Sequence, residues 1–71
     1  MPYVKVKPSS IDEVRDHLED FPGNLPIELE TGAPIRAKTV ADLRALATWP
    51  TGLRLIYNRE PALLFVRIER I

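Results

Sequence analysis

The chain contains no cysteine. No disulfide can therefore constrain its unfolded state, no thiolate is available as a nucleophile, and no sulfur-ligated zinc can order it. With 71 residues, one hydrophobic core has to hold a single domain, 1–71, together. A core of that size typically leaves a net stability of ~3–5 kcal/mol. Small secreted domains are usually rich in disulfides, so the composition points to a reducing compartment. No apolar run approaches the ~20 residues needed to span a bilayer. The start of the chain, Met1-Pro2-Tyr3-Val4-Lys5, lacks the pattern of a signal peptide. The expectation is a cytoplasmic protein without a membrane partner.

Proline and glycine clusters divide the chain into short segments of readable period. Val4 and Val6 alternate with Tyr3, Lys5 and Lys7 up to Pro8, which predicts a half-buried strand. Ser10 and Glu13 have the spacing of a capping box, and Ile11, Val14, Leu18 and Phe21 recur at helical spacing. This predicts a helix that runs to Pro22-Gly23-Asn24. Ile27–Glu30 and Ile35–Lys38 both alternate around a turn at Thr31-Gly32-Ala33-Pro34, which reads as a hairpin pairing Glu28 and Glu30 with Arg36 and Lys38. Thr39 and Asp42 open a second helix whose buried stripe is Val40, Leu43, Leu46 and Ala47. Trp49-Pro50-Thr51-Gly52 stops it. Leu53–Tyr57 and Leu63–Ile71 then form a second hairpin around Asn58-Arg59-Glu60-Pro61.

The resulting order, βαββαββ, predicts an α+β fold: an antiparallel sheet with two helices on one face, ferredoxin-like (split βαβ), with the last strand added at an edge. A long edge strand offers unpaired backbone to a second copy, so a homodimer is expected through Leu63–Ile71.

Catalytic chemistry is poorly supplied. His17 is the only histidine, and Ser9 and Ser10 before it are accounted for at the helix start. The three glycines, Gly23, Gly32 and Gly52, stand singly in turns and cannot form a phosphate-cradling loop. Glu13 and His17 share a helix face, but one face supplies ligands from one side only, where a structural metal needs about four converging groups. The sequence thus predicts no enzyme, no cofactor and no metal.

Charge is the more informative pattern. The chain is formally neutral, yet residues 1–31 hold three bases and seven acids, −4, and residues 32–71 hold seven bases and three acids, +4. Two candidate binding surfaces follow. The first is the outer face of the first helix, with Asp12, Glu13, Asp16, Glu19 and Asp20, Arg15 being the one base among them. Over its ~12 Å of helix, the acid density approaches the one charge per ~1.7 Å of duplex DNA. The second is the sheet face away from the helices. There Tyr3, Ile56, Leu63 and Phe65 are expected outward among Lys5, Lys7, Arg36, Lys38, Arg54 and Arg67. Bases among aromatics can bind single-stranded nucleic acid, and an apolar patch of this kind equally suits a protein. The reading is a non-enzymatic binding protein (an adaptor, regulator or inhibitor) that contacts another protein. The alternative is a nucleic-acid-binding module using the open sheet.

Overall fold

The computed structural model describes residues 3–71; Met1 and Pro2 lie outside the described residues. Four strands and two helices follow in the order β1 (Val4–Val6), α1 (Ile11–His17), β2 (Glu28–Leu29), α2 (Val40–Arg44), β3 (Leu53–Asn58) and β4 (Phe65–Arg70), with a 3₁₀ turn at Pro61–Leu63. The fold is α+β, as the periodicities require.

The sheet differs from the expected one in three respects. Its order is β1-β3-β4-β2, so the C-terminal hairpin is the centre and β4 is not an edge strand. It is mixed rather than antiparallel: β1–β3 and β3–β4 are antiparallel, while β2 runs parallel to β4 with Glu28 opposite Arg67 and Leu29 opposite Ile68. And Ile35–Lys38 is not a strand. The split βαβ arrangement, with a last strand appended to an edge, is therefore replaced by a sheet built around the final hairpin.

Hydrogen bonding explains the missing hairpin. A single antiparallel bridge, Pro26 opposite Thr39, joins the two segments through Ile27 N–H to Lys38 C=O and Val40 N–H to Leu25 C=O, both 3.0 Å. Pro26 sits between those two bonds, where its missing donor costs nothing. Beyond it the chain leaves for β4 instead. Glu30 donates its N–H to Ile68 C=O at 2.9 Å, and the Glu30 carboxylate accepts Arg70 N–H at 2.6 Å. Glu30 thus meets Arg70 (3.6 Å between Nε and Oε2) rather than Arg36 or Lys38. Gly32 turns the chain at φ 88°, and a Cβ there would approach the Arg70 guanidinium to 3.1 Å. The positive φ favours glycine, and any side chain there would also have to displace the Arg70 guanidinium by a few tenths of an ångström.

One side of the sheet carries the core. Leu53, Leu55, Tyr57, Val66 and Ile68 are buried against Ile11, Val14 and Leu18 from the first helix and Val40 and Leu43 from the second. Phe21, Ala37 and Trp49 complete the cluster. Val4 and Leu29 lie on the two outer strands and remain 39% and 37% exposed. Of the second helix stripe, Leu46 is half-buried and Ala47 exposed, because α2 ends at Arg44.

Both helices are shorter than their apolar stripes, and each is ended by the other's arginine. The Arg44 guanidinium donates to the carbonyls of Leu18 and Phe21, and to Glu19 C=O at 3.3 Å, just past the α1 terminus. Arg15 donates from Nε to Arg44 C=O at 3.0 Å and from Nη2 to Leu46 C=O at 2.9 Å, at the end of α2. Charged donors here reach the carbonyls that follow a helix terminus, Leu18 C=O also accepting Phe21 N–H at 3.1 Å. At the other ends, Thr39 and Asp42 form the full capping box expected of them. Ser10 caps α1 by accepting Glu13 N–H, but the Glu13 carboxylate reaches Ser9, at 2.6 Å to Oγ and 3.3 Å to N–H, rather than the Ser10 backbone.

Candidate functional site

The acidic surface is smaller than the sequence suggests. Asp12, Glu13 and Asp16 lie on α1, whereas Glu19 and Asp20 fall in the turn after it; all five are exposed. Two already have structural partners. Asp12 pairs with Arg15 at 2.9 Å, and Glu13 is bound to Ser9, which holds its carboxyl below the usual glutamate range. Asp16, Glu19 and Asp20 make no ion pair among the described residues.

His17 belongs to the packing. Its Nδ1 lies 2.8 Å from the Tyr57 hydroxyl, its ring meets Tyr57 edge-on at 5.6 Å, and its carbonyl accepts from Arg59 at 2.6 Å. Arg59 in turn stacks 5.1 Å from the Tyr57 ring centre. Among the described residues no group of three or more His, Cys, Asp or Glu side chains could hold a metal ion. No helix among them is long and apolar enough to cross a membrane.

The open sheet face is the more developed surface. Strand alternation turns Arg54 and Ile56 of β3 away from the helices, and Phe65, Arg67 and Glu69 of β4 join them. Ile56 is the floor. It is only 6% exposed although no helix covers it and it lies outside the main core cluster. Around it is an indentation of about 450 Å³. Tyr3 and Phe65 form one wall, with ring centres 5.2 Å apart and an edge-to-face tilt of 60°. Leu63, on the 3₁₀ turn and 55% exposed, stands beside them.

Charged stems complete the lining: Lys5, Arg67, Glu28 and Glu69. The Glu69 carboxylate is shared, 3.1 Å from Arg67 Nε and 3.9 Å from Arg54 Nη1. Two neighbouring arginines are thereby tied to one acid.

Of the residues expected on this face, Tyr3, Ile56, Phe65 and Arg67 come together, and Arg54 joins them through Glu69. Arg36 and Lys38 do not. They lie by Leu29, Ala37 and Asp42 in a separate depression, because the hairpin that would have carried them onto the sheet does not form. Glu28 and Glu69 were not expected in the site. Glu69 alternates with Arg67 on one strand, so period two places both on the same face; Glu28 becomes part of it only through parallel pairing with β4.

Comparison with protein-family models, curated proteins and solved structures finds no match. The reading of this surface therefore rests on its geometry and charge.

Proposed function

We propose that the chain is a non-enzymatic binding protein, an adaptor, regulator or inhibitor, whose contact surface is the open face of its sheet and whose partner is another protein. The observation that carries this reading is an indentation floored by Ile56 and walled by the Tyr3–Phe65 pair, on a face no helix covers. Large apolar side chains gathered in a concavity and rimmed by polar groups are the anatomy of protein contact sites. The acidic surface is the weaker candidate, with Asp12 and Glu13 already engaged in the chain's own structure.

A single-stranded nucleic acid is the second reading, favoured by Tyr3 and Phe65 as stacking platforms beside Lys5 and Arg67. Glu28 and Glu69 oppose it. They place carboxylates within the same lining, and Glu69 takes up the charge of Arg67 and Arg54 that phosphates would need.

The test uses immobilised wild type, Phe65→Ser and an Asp16→Asn/Glu19→Gln/Asp20→Asn triple variant against protein from the source cell and a short single-stranded oligonucleotide. Loss of a specific protein partner with Phe65→Ser, and its retention with the triple variant, is the expected result. Oligonucleotide binding that weakens steeply with salt and is lost with Lys5→Ala would replace the reading with the second one. Loss of the protein partner with the triple variant alone would move the function to the acidic surface.

A further inference from the structure

We infer that the open sheet face binds a second copy of this chain, face to face, about a two-fold axis parallel to the strands and passing between β3 and β4. The inference rests on the reading of that face as a protein-contact surface and names its occupant.

The register supplies the argument. Lys5 lies opposite Ile56, Ile56 opposite Arg67, and Arg67 opposite Glu28, so the four residues form one row across the sheet from edge to edge. The row begins with a cation on β1 and ends with an anion on β2. Neither Lys5 nor Glu28 makes an ion pair among the described residues. Three strand spacings, roughly 14 Å, separate them, so they cannot meet within one chain. The next row repeats the polarity with Arg54 on β3 and Glu69 on β4.

A face positive at one edge and negative at the other is complementary to its own copy when that copy is turned about the strand direction. The rotation sets Lys5 over the partner's Glu28 and Glu28 over the partner's Lys5. It also places the Arg67 stem over the partner's Ile56. This is the reciprocal contact pattern that a two-fold interface requires, in which residue i meets j and j meets i. An axis perpendicular to the strands would instead set Lys5 against Lys5 and Glu28 against Glu28. The charges therefore select one of the two face-to-face geometries.

Two strands of six residues flanked by one of three and one of two present a face of roughly 270 Å², or about 540 Å² in total for a pair. That is below the ~1,200–2,000 Å² of stable specific interfaces, so association is weak. The edge-strand dimer expected from the sequence is a different arrangement, and β4 is not free to form it.

Sedimentation or light scattering up to about 1 mM, the limit at which a contact this weak is measurable, decides the matter. Wild type is expected to pass from monomer to dimer. Lys5→Glu and Glu28→Lys should each weaken self-association by at least about tenfold, because both edge pairs of the dimer become repulsive at once. An equimolar mixture of the two variants should associate as wild type does, since each partner then supplies the charge the other lacks. A monomer mass at the highest concentration overturns the inference, as does a dimer indifferent to both swaps. If wild type is monomeric while Phe65→Ser still removes a heterologous protein, the homodimer fails and the contact surface stands. If wild type dimerises, neither Phe65→Ser nor the swaps alter that dimer, and Phe65→Ser leaves the heterologous protein bound, both fail.

Discussion

The two faces of the sheet bury their central residues by different means. On the helix side Leu55, Val66 and Ile68 are closed off by two helices and belong to one continuous apolar cluster. On the open side Ile56 is nearly as buried, yet its cover is the stems and rings of Tyr3, Lys5, Phe65 and Arg67. Long side chains can shield apolar surface while keeping their charged ends in water. The first kind of burial stabilises the fold and cannot be undone without unfolding. The second can be exchanged for contact with another molecule, because its cover is side chains rather than backbone. The proposed contact surface and the folding core thus sit back to back on the same two strands.

The sharpest way to break this comparison is in the covered layer. Leu18 has no exposed surface, and Leu18→Ala should cost ~2–5 kcal/mol, comparable to the ~3–5 kcal/mol a domain of this size has. Denaturant titration should find much of the variant unfolded without denaturant; a melt lowered by only a few degrees would mean that α1 is not seated on the sheet. The arginine that closes α1 comes next. Arg44→Met keeps the stem but leaves the Phe21 carbonyl without its donor and Leu18 C=O with the Phe21 N–H alone, and should lower stability by about 1–3 kcal/mol. An unchanged midpoint would show that water replaces the guanidinium without cost.

The open face should respond less. Phe65→Ser removes half of the aromatic pair but leaves the helix-side cluster intact, so a loss of about 1 kcal/mol is expected. A loss equal to that of Leu18→Ala would make the open face a second core and sink its proposed role.

The smallest effects concern acid sensitivity. Hydrogen bonds from the Ser9 side chain and backbone hold the Glu13 carboxyl below its usual range, and those from the backbones of Lys38 and Thr39 do the same for Asp42. Each group therefore binds its proton more weakly when folded than when unfolded. What they contribute is complete above the ordinary carboxylate range and is lost as pH falls through it toward the lower folded values. A Glu13→Gln/Asp42→Asn variant should show a shallower decline of melting temperature across that window. Parallel curves for variant and wild type would show that neither cap titrates with folding.

Much of the fold was legible in local pattern. Alternation marked β1, β-rich composition marked β3 and β4, and Ser10 and Thr39 marked both helix starts, because propensity, period and capping depend only on near neighbours. The candidate surface was partly legible for the same reason: alternation along β3 and β4 sends Ile56, Phe65 and Arg67 to one side. The helix ends were not legible. They depend on Arg44 and Arg15 reaching across 26 and 29 residues of chain to the other helix's terminus.

Sequence by itself determined that β1, β3 and β4 extend and where both helices begin. Tertiary structure alone decided what lies beside β2. Glu28–Leu29 alternates equally well for a hairpin with Ile35–Lys38 or a ladder with β4, and period two cannot tell the partners apart. The choice fell to β4, 39 residues away, whose backbone offers Glu30 both a ladder acceptor at Ile68 and a donor at Arg70 for its carboxylate. That one pairing made the sheet mixed, placed β4 inside it, removed Arg36 and Lys38 from the open face and brought Glu28 onto it. The charge gradient across the open face is thus a product of strand pairing, which depends on distant backbone groups that no local pattern encodes.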